Sequence, residues 1–86
     1  MTQLRVRMRL DRYGSDGPFR ASYKILGRDW WFRRVTQAKI GGDAIHYEQI
    51  LFNTKAEAIG HVEAEVAARL ARWRRAGEHT FNILVA

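Results

Sequence analysis

The chain has 86 residues and a mass of 10.0 kDa. This length allows one small domain and excludes a multi-domain enzyme built around a cofactor fold. Fifteen Lys and Arg residues against nine Asp and Glu residues give a net charge of +6. Such a balance favours anionic partners: nucleic acid, anionic lipid or an acidic protein surface. The absence of Cys excludes disulfides, cysteine-bound zinc and thiol nucleophiles.

The charge is divided into blocks along the chain. Residues 1–40 carry a net charge of +7, residues 41–66 carry −4 and residues 67–86 carry +3. A surface that is merely solvated does not require such blocks. In the alternative interpretation, the many Arg and Ala residues reflect GC-rich codons, and the charge only keeps the protein soluble.

The sequence predicts a cytoplasmic protein with no membrane partner. No apolar run approaches the length of a membrane span. The first ten residues interleave charges where a secretory signal peptide needs an unbroken apolar run. An apolar content of 47% and an aromatic content of 12% predict a folded chain.

Two segments, 3–10 and 19–25, alternate with the period of a half-buried β-strand. Residues 11–18 between them are rich in turn formers, so we expect a hairpin that pairs Leu10 with Phe19. One face of this hairpin is apolar, with Leu4, Val6, Met8, Leu10, Phe19, Ala21, Tyr23 and Ile25. The other face is polar, with Arg5, Arg7, Arg9, Arg20, Ser22 and Lys24.

The rest of the chain adds strands and one helix. Residues 29–36 either continue the second strand or begin another, a turn is expected at 41–43, and residues 44–52 have the composition of a strand. Thr54 and Glu57 have the spacing of a capping box, which predicts a helix of about 22 residues that begins near Lys55 and ends at Gly77. Its apolar stripe is Ile59, Val62, Val66, Leu70 and Trp73.

A last strand is expected at residues 80–85. The predicted fold class is α+β in the order β-β-β-α-β. An antiparallel sheet carries one long amphipathic helix on one face, and residues 1–86 form a single domain.

The sheet face away from the helix is the first candidate site. It carries Arg5, Arg7, Arg9, Arg20 and Lys24. In the expected register Arg9 faces Arg20, and like charges directly opposite each other destabilise a sheet. Like charges in this position indicate either a bound anion or a carboxylate on a neighbouring strand that neutralises them. Glu48 is the internal candidate for such a carboxylate. The alternative is an ordinary solvated sheet face.

Residues 28–34 interleave aromatic rings with basic residues. In nucleic-acid-binding proteins, rings such as Trp30 and Trp31 stack on bases while Arg33 and Arg34 pair with phosphates. If the segment is a strand, the two Trp rings point to opposite faces, so at least one has no obvious core. The alternative is a small second core under the loop at Gly41 and Gly42.

The helix is acidic at its start and basic at its end, as the helix macrodipole favours. The basic end forms a secondary patch of Arg72, Arg74 and Arg75. These residues either extend a phosphate footprint or only stabilise the helix.

Neither a metal site nor a catalytic site is predicted. Glu57, His61 and Glu65 share one helix face, but no second cluster of ligands accompanies them. No nucleophile–base pair, phosphate-binding loop or carboxylate pair is present in the sequence pattern. A non-enzymatic protein without a cofactor is expected.

Residues 52–58, Phe-Asn-Thr-Lys-Ala-Glu-Ala, resemble the F-x-T-K-x-E-A step of arm-type, AP2-like DNA-binding domains of tyrosine recombinases. Those domains insert a three-stranded antiparallel sheet into the major groove. The resemblance implies DNA contacts from Arg5, Arg7, Arg9, Arg20 and Lys24. The long helix and the strand after it depart from that pattern.

The strand order is also similar to the first part of ribonuclease-H-like folds and to HicB-type antitoxins. Residues 3–10 lack the Asp of that family's metal site, so this resemblance implies a non-catalytic relative.

Two functional hypotheses follow. The first is a small basic module that binds nucleic acid, with DNA favoured. The second is a protein–protein interaction module, such as a phage-encoded or antitoxin-like inhibitor that docks on an acidic host protein surface. In that case residues 80–85 could also pair edge to edge and form a homodimer.

Overall fold

The computed structural model describes residues 2–73 and 79–85. In this part of the chain the elements are β1 (Thr2–Arg12), β2 (Phe19–Ile25), β3 (Arg33–Arg34), β4 (Thr36–Gly41), β5 (Ala44–Gln49), β6 (Leu51–Phe52), α1 (Lys55–Ala71) and β7 (His79–Val85). The predicted α+β class, with strands before and after a single described helix, is confirmed.

The main sheet has the strand order β3-β2-β1-β7, and β6 pairs with the same edge of β2 as β3 does. β2 is antiparallel to β1, whereas β7 is parallel to β1, with Val6 opposite Ile83. The expectation of an entirely antiparallel sheet is therefore wrong for the last strand. The reason is the crossover: β6 already runs in the direction of β1, and α1 returns the chain to the far edge before β7 begins.

The β1–β2 hairpin extends two residues further than the sequence suggests. Leu10 lies opposite Ala21, and Arg12 lies opposite Phe19. The Tyr13 amide closes the loop by donating to the Pro18 carbonyl at 3.0 Å. A two-residue shift leaves every side chain on its predicted face but changes its partner. Arg20 faces Asp11 rather than Arg9, so the predicted Arg9–Arg20 opposition is wrong.

A β-hairpin formed by β4 and β5 leaves the sheet between β3 and β6, and we call it the arm (residues 36–49). Its turn is at Gly42 and Asp43, with a φ of +61° at Gly42 that favours glycine. All residues from 37 to 48 are exposed. The expected single strand over 44–52 is thus two strands, because at Ile50 the chain turns back onto the sheet and its amide donates to the Val35 carbonyl at 3.1 Å.

The core lies between one face of the sheet and α1. It consists of Val6, Met8, Phe19, Ala21, Tyr23, Ile25, Val35, Phe52, Ala58, Val62, Val66 and Leu70. The alternation predicted for β1 and β2 is confirmed, because their apolar residues are buried or half-buried and the Arg residues between them are exposed.

The helix begins as predicted. The Glu57 amide donates to Thr54 Oγ1 at 3.1 Å, and Glu57 Oε2 accepts from the Asn53 amide at 3.2 Å. It ends at Ala71 after 17 residues, so the expected length of about 22 residues is wrong. The Arg72 and Trp73 amides donate three residues back, which tightens and closes the last turn. Gly77, the expected stop, lies outside the described residues.

The carboxylate of Asp29 connects α1 to the loop after β2. Arg69 donates from both terminal nitrogens to the two carboxylate oxygens, at 2.8 and 2.9 Å, and the Ile25 amide donates to Oδ2 at 2.9 Å. Only 9% of the Asp29 side chain and 16% of the Arg69 side chain are exposed. A bidentate pair shielded in this way is stronger than a surface ion pair.

We predict that Asp29→Asn lowers the free energy of unfolding by about 2 kcal/mol, because it leaves Arg69 half-buried without its counter-charge. The hydrogen bonds from Arg69 hold the pKa of Asp29 below its ordinary value of 3.8. The carboxylate therefore contributes its full stability above that pH and loses it as the pH falls through the lower, folded-state pKa. Urea unfolding at a series of pH values measures both effects.

Between neutral pH and about pH 5, the stability difference between wild type and Asp29→Asn should be constant, and it should shrink below pH 4. Asp11→Asn is the matched control, because Asp11 forms an exposed pair with Arg20. A difference that does not depend on pH would contradict the role of the charge.

Candidate functional site

The sheet face away from α1 carries a group of basic side chains that we call the outer face. Residues paired across neighbouring strands point to the same side of a sheet. By this register the charged members of the outer face are Arg5, Arg7, Arg9, Asp11, Arg20, Lys24 and Arg34. Six of these seven residues are basic. All five residues predicted from β1 and β2 are brought together here, and Arg34 joins them from β3.

The positive charge of the outer face is poorly compensated. Arg20 pairs with Asp11 at 3.5 Å, but both side chains are largely exposed and the pair is weak. Arg7 lies directly opposite Lys24. Glu48 is the internal candidate for neutralising this charge, but it pairs instead with Lys39 on the arm at 2.8 Å, so this alternative is wrong. Within the described ranges, no carboxylate pairs with the other five basic side chains.

Phe32 is a member of the outer face that the sequence pattern did not indicate. The Arg9 guanidinium carbon lies 3.9 Å from its ring centroid, and Lys24 Nζ lies 5.2 Å from it. The ring therefore holds two cations in place above the sheet. Its position inside the Arg-rich segment 28–34 is a signal in the sequence, although the two Trp residues are the more prominent rings of that segment.

Trp30 and Trp31 lie in the loop between β2 and β3, and 89% and 83% of their surfaces are exposed. The alternative of a second core under Gly41 and Gly42 is therefore wrong. The loop is held at Asp29 on one side of the Trp pair and at Phe32 on the other. Two large exposed rings thus stand on a fixed loop next to a basic face.

The other predicted basic residues are divided between two sides of the sheet. Arg34 pairs with Ser22 on the outer face, whereas Arg33 pairs with Tyr23 on the helix side, with its Nε 3.9 Å from Asp29. Arg72 caps the end of α1, also on the helix side. Arg74 and Arg75 lie outside the described residues. Arg72 therefore does not extend the outer face.

Glu57 and His61, two of the three possible metal ligands on α1, have other contacts. Glu57 caps α1, and the His61 ring packs 5.4 Å from the Phe52 ring. Residues 2–73 and 79–85 contain no group of three His, Asp or Glu side chains arranged to hold a metal ion. The same ranges contain no helix with the length and apolar character of a membrane span.

The chain matches no protein-family model, no curated protein and no solved structure. These comparisons do not test the two resemblances given by residues 52–58 and by the strand order. Both remain predictions.

We predict that the Trp30 and Trp31 rings are freely accessible to a small quencher, whereas Trp73 is not. Trp73 is half-buried and the Arg28 guanidinium lies 3.8 Å from its ring centroid. Acrylamide quenching of Trp73→Phe should be steep, because its fluorescence comes from the exposed pair. Quenching of the Trp30→Phe/Trp31→Phe variant should be shallow, and equal slopes in the two variants would contradict this arrangement.

Proposed function

We propose that this protein is a small non-enzymatic module that binds nucleic acid through its outer face. The observation that carries the proposal is the concentration of six basic side chains with one carboxylate on an open sheet face, while the helix occupies the opposite face. Five of the six cations have no carboxylate partner among the described residues. Phosphates supply the missing negative charge, and their counterions are released on binding.

The geometry of β1 suits a row of phosphate contacts. Arg5, Arg7 and Arg9 are two residues apart on one strand, so their Cα atoms follow each other at intervals of about 7 Å. Lys24 and Arg20 on β2 and Arg34 on β3 widen this row into a patch. Such a patch contacts several phosphates of the nucleic-acid backbone. These contacts fix the position of the nucleic acid on the protein without reading its base sequence.

The aromatic residues beside the patch favour nucleic acid as the ligand over a polyanion that has no bases. Trp30 and Trp31 are exposed on a fixed loop, and stacking of a base on an aromatic ring contributes about 1–3 kcal/mol. Phe32 holds Arg9 and Lys24 close to that loop. DNA is the favoured ligand because of the resemblance of residues 52–58 to arm-type DNA-binding domains.

The proposal is tested by titrating fluorescent duplex DNA, single-stranded DNA and RNA over a range of salt concentrations. The variant Arg5→Gln/Arg7→Gln/Arg9→Gln should bind more weakly and reduce the slope of log K against log salt by about 2–3, since each phosphate contact contributes roughly 0.7–0.9. The matched control is Arg12→Gln/Lys39→Gln/Lys55→Gln, which removes the same charge from exposed positions outside the outer face and the Trp loop.

The control variant should keep most of the wild-type slope. Equal slopes in the two triple variants would show that only net charge matters and would refute the outer face as the binding surface. Absence of binding to all three ligands at low salt would refute the proposal as a whole.

A second candidate function is a protein–protein module, and the position of β7 favours it. Among the described strands, β7 pairs with β1 on one side and with none on the other. Leu84 and Val85 on this edge strand are about half exposed. An open edge is able to pair with a second copy or with another protein.

If two copies pair through β7, light scattering should give about twice the 10.0 kDa of one chain. Leu84→Lys should then return the mass to that of one chain, because a charged residue on an edge strand opposes pairing. A monomer mass at all concentrations would leave no support for the homodimer.

A further inference from the structure

A polar cavity of about 220 Å³ lies on the helix side of the sheet, at the edge where β3 pairs with β2. Its walls come from β2, β3, the base of the arm and the last turns of α1. The lining residues whose side chains carry hydrogen-bonding groups include Tyr23, Arg33, Thr36, Glu65, Arg69 and Arg72. A cavity of this size holds several water molecules or one small polar ligand.

Tyr23 lines this cavity, and its buried hydroxyl lies beside Glu65 and Arg69 without a well-formed hydrogen bond to either. The Tyr23 side chain is fully buried, and its hydroxyl oxygen makes no hydrogen bond with the described residues. Buried hydroxyl groups are rarely left unsatisfied, so an unpartnered one indicates a ligand or an ordered water. Burial, together with the neighbouring Glu65 carboxylate, raises the pKa of Tyr23 to about 12. The hydroxyl therefore remains protonated at neutral pH.

The charge around the cavity is positive. Arg33, Arg34, Arg69 and Arg72 line it, against the single carboxylate of Glu65. Arg69 is already paired with Asp29, and Arg33 is partly engaged by the same carboxylate. Arg72 has no ion pair within the described part of the chain, so a surplus of positive charge remains at the mouth of the cavity.

We propose that this cavity binds a phosphate group. Guanidinium groups bind phosphate oxygens with paired hydrogen bonds, and two further lining residues, Tyr23 and Thr36, carry hydroxyl donors. Donors that converge from several elements match an anion with several oxygens. The Glu65 carboxylate opposes such a ligand and limits its affinity. The inference goes beyond the proposed function, because the cavity lies on the helix side of the sheet and shares only Arg34, at the β3 edge, with the outer face.

The test is an NMR titration of the labelled protein with inorganic phosphate in a phosphate-free buffer. We expect saturable shifts at the amides of Thr36, Ala68 and Arg72, which line the cavity. Tyr23→Phe removes only the hydroxyl and should weaken binding about tenfold. Glu65→Gln should strengthen it several-fold, because it removes the opposing charge. Lys55→Gln, at the other end of α1, is the control and should leave the affinity unchanged.

Two further arms identify the source of the phosphate and separate this site from the outer face. A dinucleotide with a 5′-phosphate should shift the cavity amides more than the same dinucleotide without it if the site accepts a strand end. If free phosphate alone shifts them, the site takes a small anion. The variant Arg5→Gln/Arg7→Gln/Arg9→Gln should leave the cavity shifts unchanged whether or not it loses nucleic-acid binding.

The inference would be overturned if phosphate, added up to physiological ionic strength, caused no saturable NMR shifts at the amides that line the cavity. Equal phosphate affinities for Tyr23→Phe and wild type would also overturn it. Should Tyr23→Phe fail to fold, Arg72→Gln decides the question, because Arg72 is exposed and its loss should weaken phosphate binding in a folded protein.

Discussion

The carboxylate of Asp29 is the interaction on which the arrangement of this molecule depends. It receives hydrogen bonds from Arg69 of α1 and from the Ile25 amide at the end of β2, so this one side chain adds a polar link between helix and sheet to the apolar core. Trp30, Trp31 and Phe32 follow it directly in the chain. The same contact therefore holds the helix against one side of the sheet. It also holds the start of the loop at residues 30–32, which reaches the outer face where Phe32 contacts Arg9.

With α1 covering one face, the two sides of the sheet have different chemistry. The helix side holds the apolar core and, at the β3 edge, a cavity with an unpartnered Tyr23 hydroxyl. The outer face has no covering element among the described residues and carries most of the basic side chains of β1 and β2. In the proposed function this surplus charge is the binding determinant, and the Trp pair adds base stacking beside it.

Local patterns predicted which face each residue occupies, but not which residue it faces. The alternation in β1 and β2 predicts which of their residues enter the core, and the capping box at Thr54 predicts where α1 begins. Both patterns depend only on neighbours within a few residues. The hairpin register, the parallel pairing of β7 and the arm depend on contacts between distant segments. A shift of two residues gives the same alternation, so alternation alone does not distinguish Arg9 from Asp11 as the neighbour of Arg20. The position of Phe32 does not follow from the sequence pattern because segment 29–32 is a loop, where strand periodicity does not predict which way a side chain points.

The most direct test of nucleic-acid binding on the outer face is a map of amide and indole NMR shifts on addition of a short DNA strand. The predicted result is a continuous set of shifts along β1 and β2, with both exposed indole N–H groups of Trp30 and Trp31 included. Shifts confined to the β7 edge or to the arm, with the amides of Arg5, Arg7 and Arg9 unmoved, would contradict the outer face as the binding surface.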